Sequence, residues 1–461
     1  MARSDHSKER GPIVVVLAAG EGTRLAAACG GSAKSMALLL GLSLGERTLC
    51  NCAKAGARRF LIVIGHRREE VRAHFEEIAR RRGFEVNFAV ADDWALGNGA
   101  SALSAAGLVG GEPFLLTMAD HMLAPEIYKR LLEDPPREGE ICLAVDRDRE
   151  RPYDSEDTTK VSLRNGHVRS IGKDLETWDG FDTGAFFCTP SLFEGLARAI
   201  SHGRHSLSDG VSELAGRDAV RAVDVTGKAW LDVDTPEDLR RASRRLIASL
   251  REGKGKEDGF VSAWLNRPIS VRLSTILART GITPNQITAA SFLLAMASAG
   301  LLAAGEYATN LLGGVLLQAA SILDGCDGEV ARLKESGSAR GAWLDTLLDR
   351  YADLAVAVAI TFAYAGGRPG SLPWIAGMLA GGSFLLASYV TKEYQLRHGV
   401  PYPNDALNRL KRHDLRVFVL FLGAIADVPF AALLAMGGLT HLFIFGILLK
   451  GGPRNPSSPP V

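Results

Sequence analysis

The sequence has almost no net charge, few cysteines and no apolar run at its start. Its 53 Lys and Arg residues stand against 52 Asp and Glu. No global basic field draws the chain to nucleic acid, and no nucleic-acid partner is expected. The six cysteines are Cys29, Cys50, Cys52, Cys142, Cys188 and Cys326. None stands in a C-x-x-C pair, and Cys50-Asn51-Cys52 lacks a second half, so a zinc site is not indicated. Reduced thiols in a cytosolic compartment are the simpler reading. Residues 1–11 are polar and lack the apolar core of a signal peptide, which places the first part of the chain on the cytoplasmic side.

What is present divides into two contrasting halves. A length of 461 residues suggests roughly two or three domains. Residues 1–260 are rich in charge, whereas 285–450 hold long apolar runs. Short β-rich runs at 13–18, 60–64, 114–117, 141–145 and 184–188 alternate with helical stretches such as 69–82. That alternation predicts an α/β domain with a largely parallel sheet. A charged helix and linker at 237–256 end in Gly253-Lys254-Gly255-Lys256 and place the boundary near there. The expected organisation is a soluble domain at 1–250, a linker and juxtamembrane helix at 251–284, and a membrane domain at 285–450.

The apolar segments at 285–305, 307–331, 341–365 and 371–391 are each about long enough for a bilayer core of roughly 30 Å. The stretch 415–449 is broken at Asp427-Val428-Pro429 and reads as two passes. An all-α membrane domain of about six helices follows. Basic loops set its orientation. Arg332, Lys334 and Arg340 fall in one loop, and Lys392, Arg397, Arg409, Lys411, Arg412 and Arg416 in another, while the opposite loops carry only Arg368. The expected location is the cell membrane, multi-pass, with the N-terminal domain and both active sites cytoplasmic. A large soluble helical core does not explain that charge alternation.

The first strand runs into Leu17-Ala18-Ala19-Gly20-Glu21-Gly22-Thr23-Arg24-Leu25. Glycines after a buried strand let backbone N–H groups approach a triphosphate at a helix start. Arg24 suits the leaving pyrophosphate, and Lys34 the charge building at the α-phosphate. Asp120 ends a strand at Met118-Ala119-Asp120-His121, and Asp232 and Asp234 lie in Trp230-Leu231-Asp232-Val233-Asp234. Carboxylates meeting at strand ends suit Mg²⁺ or Mn²⁺. Asp120 also reads as a helix N-cap, and Asp234-Thr235-Pro236-Glu237 as a helix start, so Asp232 is the better metal candidate of the second pair.

These motifs resemble the sugar-phosphate nucleotidyltransferases, which implies a Rossmann-like (GT-A-like) α/β fold. The resemblance assigns Gly20 and Gly22 to the nucleotide, Gly97, Asn98 and Ser101 to base and ribose, and Asp182-Thr183-Gly184, ahead of a strand, to the polyol. Ser32-Ala33-Lys34-Ser35-Met36 lacks the prolines that commonly bracket the family's lysine.

In the membrane half, Asp324-Gly325-Cys326-Asp327-Gly328-Glu329-Val330-Ala331-Arg332 is followed, after eight residues, by Gly341, Asp345 and Asp349. Asp324 and Asp327 share one helix face, and Asp345 and Asp349 another. Four carboxylates in membrane helices need cations or an aqueous cavity, and two divalent metals would answer both. The spacing is similar to the full signature of the CDP-alcohol phosphotransferases. That likeness implies metal ligation by Asp324, Asp327 and Asp345. It makes Asp349 the general base and a further metal contact, and assigns Gly328, Ala331, Arg332 and Gly341 to nucleotide binding or close helix approach. Thr283-Pro284-Asn285 also looks like that family. Arg340, Arg412 and Arg416 are candidates for an acceptor phosphate, or serve only as topogenic charge.

The fusion in this order resembles the bifunctional inositol-1-phosphate cytidylyltransferase and di-myo-inositol phosphate phosphate synthases. The resemblance implies CTP, inositol 1-phosphate and CDP-inositol as reactants, a lipid bilayer as partner, and leaves a homodimer open. Two other readings stand beside it. One has the same paired reactions on another polyol or amino-alcohol, for phospholipid synthesis. The other makes the N-terminal domain a non-catalytic nucleotide sensor, against which the joint presence of Gly20, Arg24, Lys34, Asp120 and Asp232 counts.

Overall fold

Alternate residues of the strand Ile13–Ala18 point into two different hydrophobic layers. Val15 and Leu17 join one buried cluster, and Val14, Val16 and Ala18 the other. A strand covered on both faces reads as an unbroken apolar run, as this one does. The computed structural model describes residues 11–26, 31–150, 158–252, 259–405, 408–409 and 411–450. Cys29 and the Gly253-Lys254-Gly255-Lys256 linker lie outside the described residues. Two units emerge, Met1–Arg245 and Leu246–Val461.

The main sheet of the first unit runs in the order Glu85–Val90, Arg59–Ile64, Ile13–Ala18, Phe114–Met118, Gly180–Cys188, Ile141–Asp146, Val220–Asp224, His167–Gly172, Lys160–Arg164. Its first four strands are mutually parallel. The rest is mixed, which corrects the expectation of a largely parallel sheet. Gly180–Cys188 runs antiparallel to both Phe114–Met118 and Ile141–Asp146, and Lys160–Arg164 and His167–Gly172 form a hairpin. That hairpin turns at Asn165-Gly166, both with positive φ (53° and 83°), the backbone a two-residue turn requires. Asp182-Thr183-Gly184 lies inside the strand Gly180–Cys188, not before it, where the register with Ile141–Asp146 shifts.

Two features carry the site. The parallel strands Ile13–Ala18 and Phe114–Met118 end side by side, so the Gly20 turn and Asp120 leave the same sheet edge, where α/β sheets bind ligands. A short antiparallel ribbon then pairs His121–Leu123 with Trp230–Asp232, setting Asp232 opposite His121.

The second unit is helical. A π-helical turn at Ser262–Asn266 leads into Arg267–Ala278. The helices Pro284–Ala304, Tyr307–Leu333, Ala339–Ala365, Leu372–His398, His413–Ile425 and Pro429–Lys450 follow. Thr283 and Gln286 form a capping box with Pro284 in the first turn, a strong local start signal. The six apolar segments are thus six helices, but three of them, Pro284–Ala304, Leu372–His398 and Pro429–Leu449, are long and apolar enough to cross a membrane by length and composition. Tyr307–Leu333 and Ala339–Ala365 are long but carry the motif carboxylates. His413–Ile425 has 13 residues, about 20 Å of helix. The break before Pro429 is fixed by Asp427, which has φ 59° and accepts a hydrogen bond from Asn310 Nδ2 at 2.9 Å. Apolar side chains of the long helices and of His413–Ile425, among them Leu317, Ile360, Phe384, Leu420 and Leu433, pack into one core.

Two candidate active sites

In the first unit one ammonium group gathers three carboxylates. Lys34 opens a 3-10 turn, and its Nζ lies 2.6 Å from Asp120 Oδ2 and 3.6 Å from Asp232 Oδ1, and also bonds Asp234. Gly22, at φ +62°, makes room for it, since a Cβ there would sit 2.5 Å from that of Lys34. Arg24 Nη2 bonds Asp234 Oδ2 at 2.8 Å. Burial opposes the charge on Lys34, yet Asp120, Asp232 and Asp234 together hold its pKa above the ordinary lysine value. Burial likewise works against the Asp120 carboxylate, but Lys34 and then His121 hold its pKa below the usual range. Asp232 is pushed up by burial and by its acidic neighbours.

Asp120 does not cap a helix, because the next helix, Pro125–Glu133, begins after Ala124. Nor does Asp234: Thr235 caps Pro236–Glu252 by accepting from Asp238 N at 3.2 Å, and Asp238 accepts from Thr235 N at 3.0 Å. Both carboxylates are therefore left for the site. Its cavity, about 450 Å³, is lined by Arg24, Asn98, His121, Asp182, Asp232 and Asp234, among others. The carboxylate oxygens, converging on one cation, fit a hard divalent metal.

His121 was not singled out by the sequence. Its Nδ1 donates to Asp120 Oδ1 at 2.8 Å and lies 3.6 Å from Asp232 Oδ1. Burial disfavours its charge, but Asp232 and Asp120 raise its pKa to about 9. Ligand atoms of His121, Asp120 and Asp232 all lie within 4.8 Å of one another, a set that could hold a metal ion. Gly184, at φ +78°, lets this ring pack close, since a Cβ would stand 2.4 Å from His121 Cδ2. Asp182 accepts from Gly184 N at 2.7 Å, and burial raises its pKa to about 6. In the Gly97–Ser101 stretch, Asn98 reaches the cavity, though its Oδ1 accepts from Leu207 N at 2.8 Å. Ser101 is buried, its hydroxyl bonded to Gly97 O at 3.1 Å, and it does not line the cavity.

The second unit assembles its own acid cluster. Carboxylate oxygens of Asp324, Asp345 and Asp349 lie within 4.8 Å of one another, a donor set that suits a divalent cation. Asp327 stands outside that trio and accepts from Thr288 Oγ1 at 2.5 Å. A Cβ at Gly341 would meet Ser338 Oγ at 3.0 Å and Asn285 Oδ1 at 3.1 Å, so this glycine serves close helix approach. A Cβ at Gly328 would meet nothing beyond its own helix backbone closer than Arg332 Nη1 at 3.8 Å, an ordinary van der Waals contact. Asp324, Arg332 and Arg412 line one cavity of about 320 Å³, and Asp324, Asp349 and Asp353 a second, narrower one.

Comparison with known proteins follows the same division. Residues 14–214 match the model of the MobA-like NTP transferase domain, and 281–444 that of the CDP-alcohol phosphatidyltransferases. A "Bifunctional IPC transferase and DIPP synthase" of Rubrobacter xylanophilus is 39% identical over 428 residues, covering 92% of this chain and 93% of its own. The chain belongs to the bifunctional IPC transferase and DIPP synthase family. Its relative from Aquifex aeolicus is 35% identical and covers 93% of this chain and 95% of its own. The solved inositol-1-phosphate CTP transferase from T. maritima aligns at 26% identity with a TM-score of 0.47, covering 53% of this chain and 98% of that one.

For a member of this family, the three candidate acceptor arginines differ sharply in position. Arg340 is exposed, and Arg412 lines the larger cavity, with Nη2 3.0 Å from Asn404 Oδ1. Arg416 is turned inward, 2% exposed. Its Nη2 lies 2.5 Å from Asp353 Oδ2, and its guanidinium sits 4.3 Å from the ring centre of Phe384. Arg416 is thus engaged in an internal ion pair with Asp353.

Proposed function

We propose that the chain carries out two successive phosphoryl-group reactions, the second consuming the product of the first. In the first, the phosphate of inositol 1-phosphate attacks the α-phosphorus of CTP, giving CDP-inositol and releasing pyrophosphate. In the second, a hydroxyl of another inositol phosphate attacks the β-phosphorus of CDP-inositol. The inositol phosphate is transferred and CMP leaves. The reading rests above all on the joining in one chain of two acid clusters, each within its own unit, with a nucleotidyltransferase model matching the first half and a CDP-alcohol phosphatidyltransferase model the second.

In the first site, Arg24 and Lys34 exchange their carboxylate partners for phosphate oxygens when CTP binds. Arg24 then faces the leaving pyrophosphate and Lys34 the α-phosphate. Gly20, Gly22 and Gly97 present backbone to the nucleotide, and Asn98 and Asp182 border the place of base and polyol. In the second site Asp349 takes the proton of the attacking hydroxyl. Arg332 and Ala331 border the donor nucleotide, and Arg412 and Arg340 supply positive charge near the acceptor phosphate. Mg²⁺ held by Asp120, Asp232 and Asp234, and by Asp324, Asp327, Asp345 and Asp349, would neutralise phosphate charge in each site.

The soluble domain spans 1–250 and the membrane domain 285–450, joined by 251–284. The basic loops orient the chain with both sites cytoplasmic. Incubating the purified protein with CTP and a panel of alcohol phosphates, then weighing the products, tests the substrate. Inositol 1-phosphate should give the fastest nucleotide transfer, and preference for another alcohol phosphate would replace inositol in this scheme.

A further inference from the structure

The inward turn of Arg416 leaves another residue facing the substrate space. His413 lies at the start of His413–Ile425, one helical turn before Arg416. It lines both cavities of the second unit, the one with Asp349 and the one with Arg332 and Arg412. Its Nδ1 is 2.9 Å from Arg416 Nη2 and 3.4 Å from Asp353 Oδ1. A guanidinium has donors only, so the close contact makes Nδ1 the acceptor. With Nδ1 accepting, Nε2 is the nitrogen that carries a proton. With Nδ1 turned into the ion pair, Nε2 looks away from it, and among the described residues it forms no hydrogen bond.

The partners behind the ring are firmly held. Asp353 is buried between Arg416 and Arg350, whose Nη1 lies 3.2 Å away. Arg350 also bonds Ser388 Oγ at 2.7 Å and approaches Asp349 Oδ2 at 3.5 Å. One connected set of polar groups therefore runs from Asp349 through Arg350, Asp353 and Arg416 to His413. Such a set fixes a ring's orientation and tautomer as a hydrogen-bonded carboxylate does for a metal-bound histidine.

We propose that His413 positions the acceptor in the transfer reaction, donating its Nε2–H to the acceptor's phosphate, and that Arg416 and Asp353 act through it. The place suits that role: Asp349, the group that would take the hydroxyl proton, is on one side, and the cationic Arg412 on the other. In this arrangement the hydroxyl of an alcohol phosphate would lie toward Asp349, in the cavity that His413 shares with it, and the phosphate toward His413 and Arg412, in the other. The inference rests on the transfer reaction proposed above.

The test uses the full-length protein in detergent, with CDP-inositol and inositol 1-phosphate varied independently. His413→Asn keeps an acceptor facing Arg416 and removes the distal donor, whereas His413→Gln places an amide N–H near the Nε2 position. Loss of one hydrogen bond to a charged group should raise the acceptor KM of His413→Asn about tenfold or more. The KM for CDP-inositol should stay within about twofold, and His413→Gln should recover acceptor KM to within about threefold of wild type. An unchanged acceptor KM in His413→Asn, an equal rise for both substrates, or a His413→Gln variant as impaired as His413→Asn would each overturn the assignment. Absence of any transfer by the wild-type protein would remove the underlying reaction and this role with it.

Discussion

Lys34 Nζ and Asp120 Oδ2 stand 2.6 Å apart, so the lysine expected at the α-phosphate and the carboxylate expected at the metal are bonded to each other. Asp232 and Asp234 share the same ammonium. A cation placed among these carboxylates must displace Lys34, and a triphosphate that draws Lys34 away uncovers them. On the reading proposed above, metal and nucleotide would be coupled through this one side chain, reciprocally.

Lys34→Met should bind Mn²⁺ more tightly than wild type in the absence of nucleotide, by roughly tenfold, because an internal competitor for three carboxylates is gone. Calorimetric titration of each protein with the metal alone checks this. Cytidylyl transfer should fall steeply in the same variant. Equal or weaker metal affinity would mean that Lys34 does not compete for these oxygens.

Arg24→Ala and Asp120→Ala should abolish CDP-inositol formation and leave transfer intact when CDP-inositol is supplied. Both residues belong to the first unit, and the trio Asp324, Asp345 and Asp349 to the second. Pyrophosphate release and CMP release, followed separately, distinguish the two. Loss of CMP release in a well-folded variant would contradict the independence of the sites.

The two motif glycines should respond differently to alanine. At Gly341 a methyl group would press on Ser338 and Asn285 at about 3 Å, so Gly341→Ala should lower thermal stability in detergent, by roughly 1–3 kcal/mol. At Gly328 a methyl group would meet no side chain closer than Arg332, at 3.8 Å. Gly328→Ala should keep its melting temperature and raise the KM for CDP-inositol. The opposite pattern would exchange the two roles.

Much of this was legible in the sequence, where pattern and chemistry coincide. The run Ile13–Ala18 announces a buried strand, and the Gly20 turn, Arg24 and Asp120 follow at the sheet edge. The spacing from Asp324 to Asp349 was enough to bring Asp324, Asp345 and Asp349 together. What escaped depends on contacts across long sequence separations. Arg416 reads as one more basic loop residue until Asp353, 63 residues earlier, is seen against it. His121 follows Asp120 directly, but its importance comes from Asp232 across the ribbon. The mixed sheet has one local signal in the sequence, the Asn165-Gly166 turn. Asp234 and Thr235 are both good caps for the helix that starts at Pro236, and only the hydrogen bonds of Thr235 choose between them.

The central claim is that one chain makes an activated alcohol and then consumes it, and Asp349→Asn tests it most directly. Asparagine keeps the shape of Asp349 and removes its basicity. Wild type and variant are given CTP and inositol 1-phosphate, and the products are resolved by mass. The account predicts CMP and a di-inositol phosphate product from wild type, and from the variant CDP-inositol and pyrophosphate with no transfer product. Near-normal transfer by Asp349→Asn, or a wild-type protein that forms CDP-inositol and never consumes it, would contradict it.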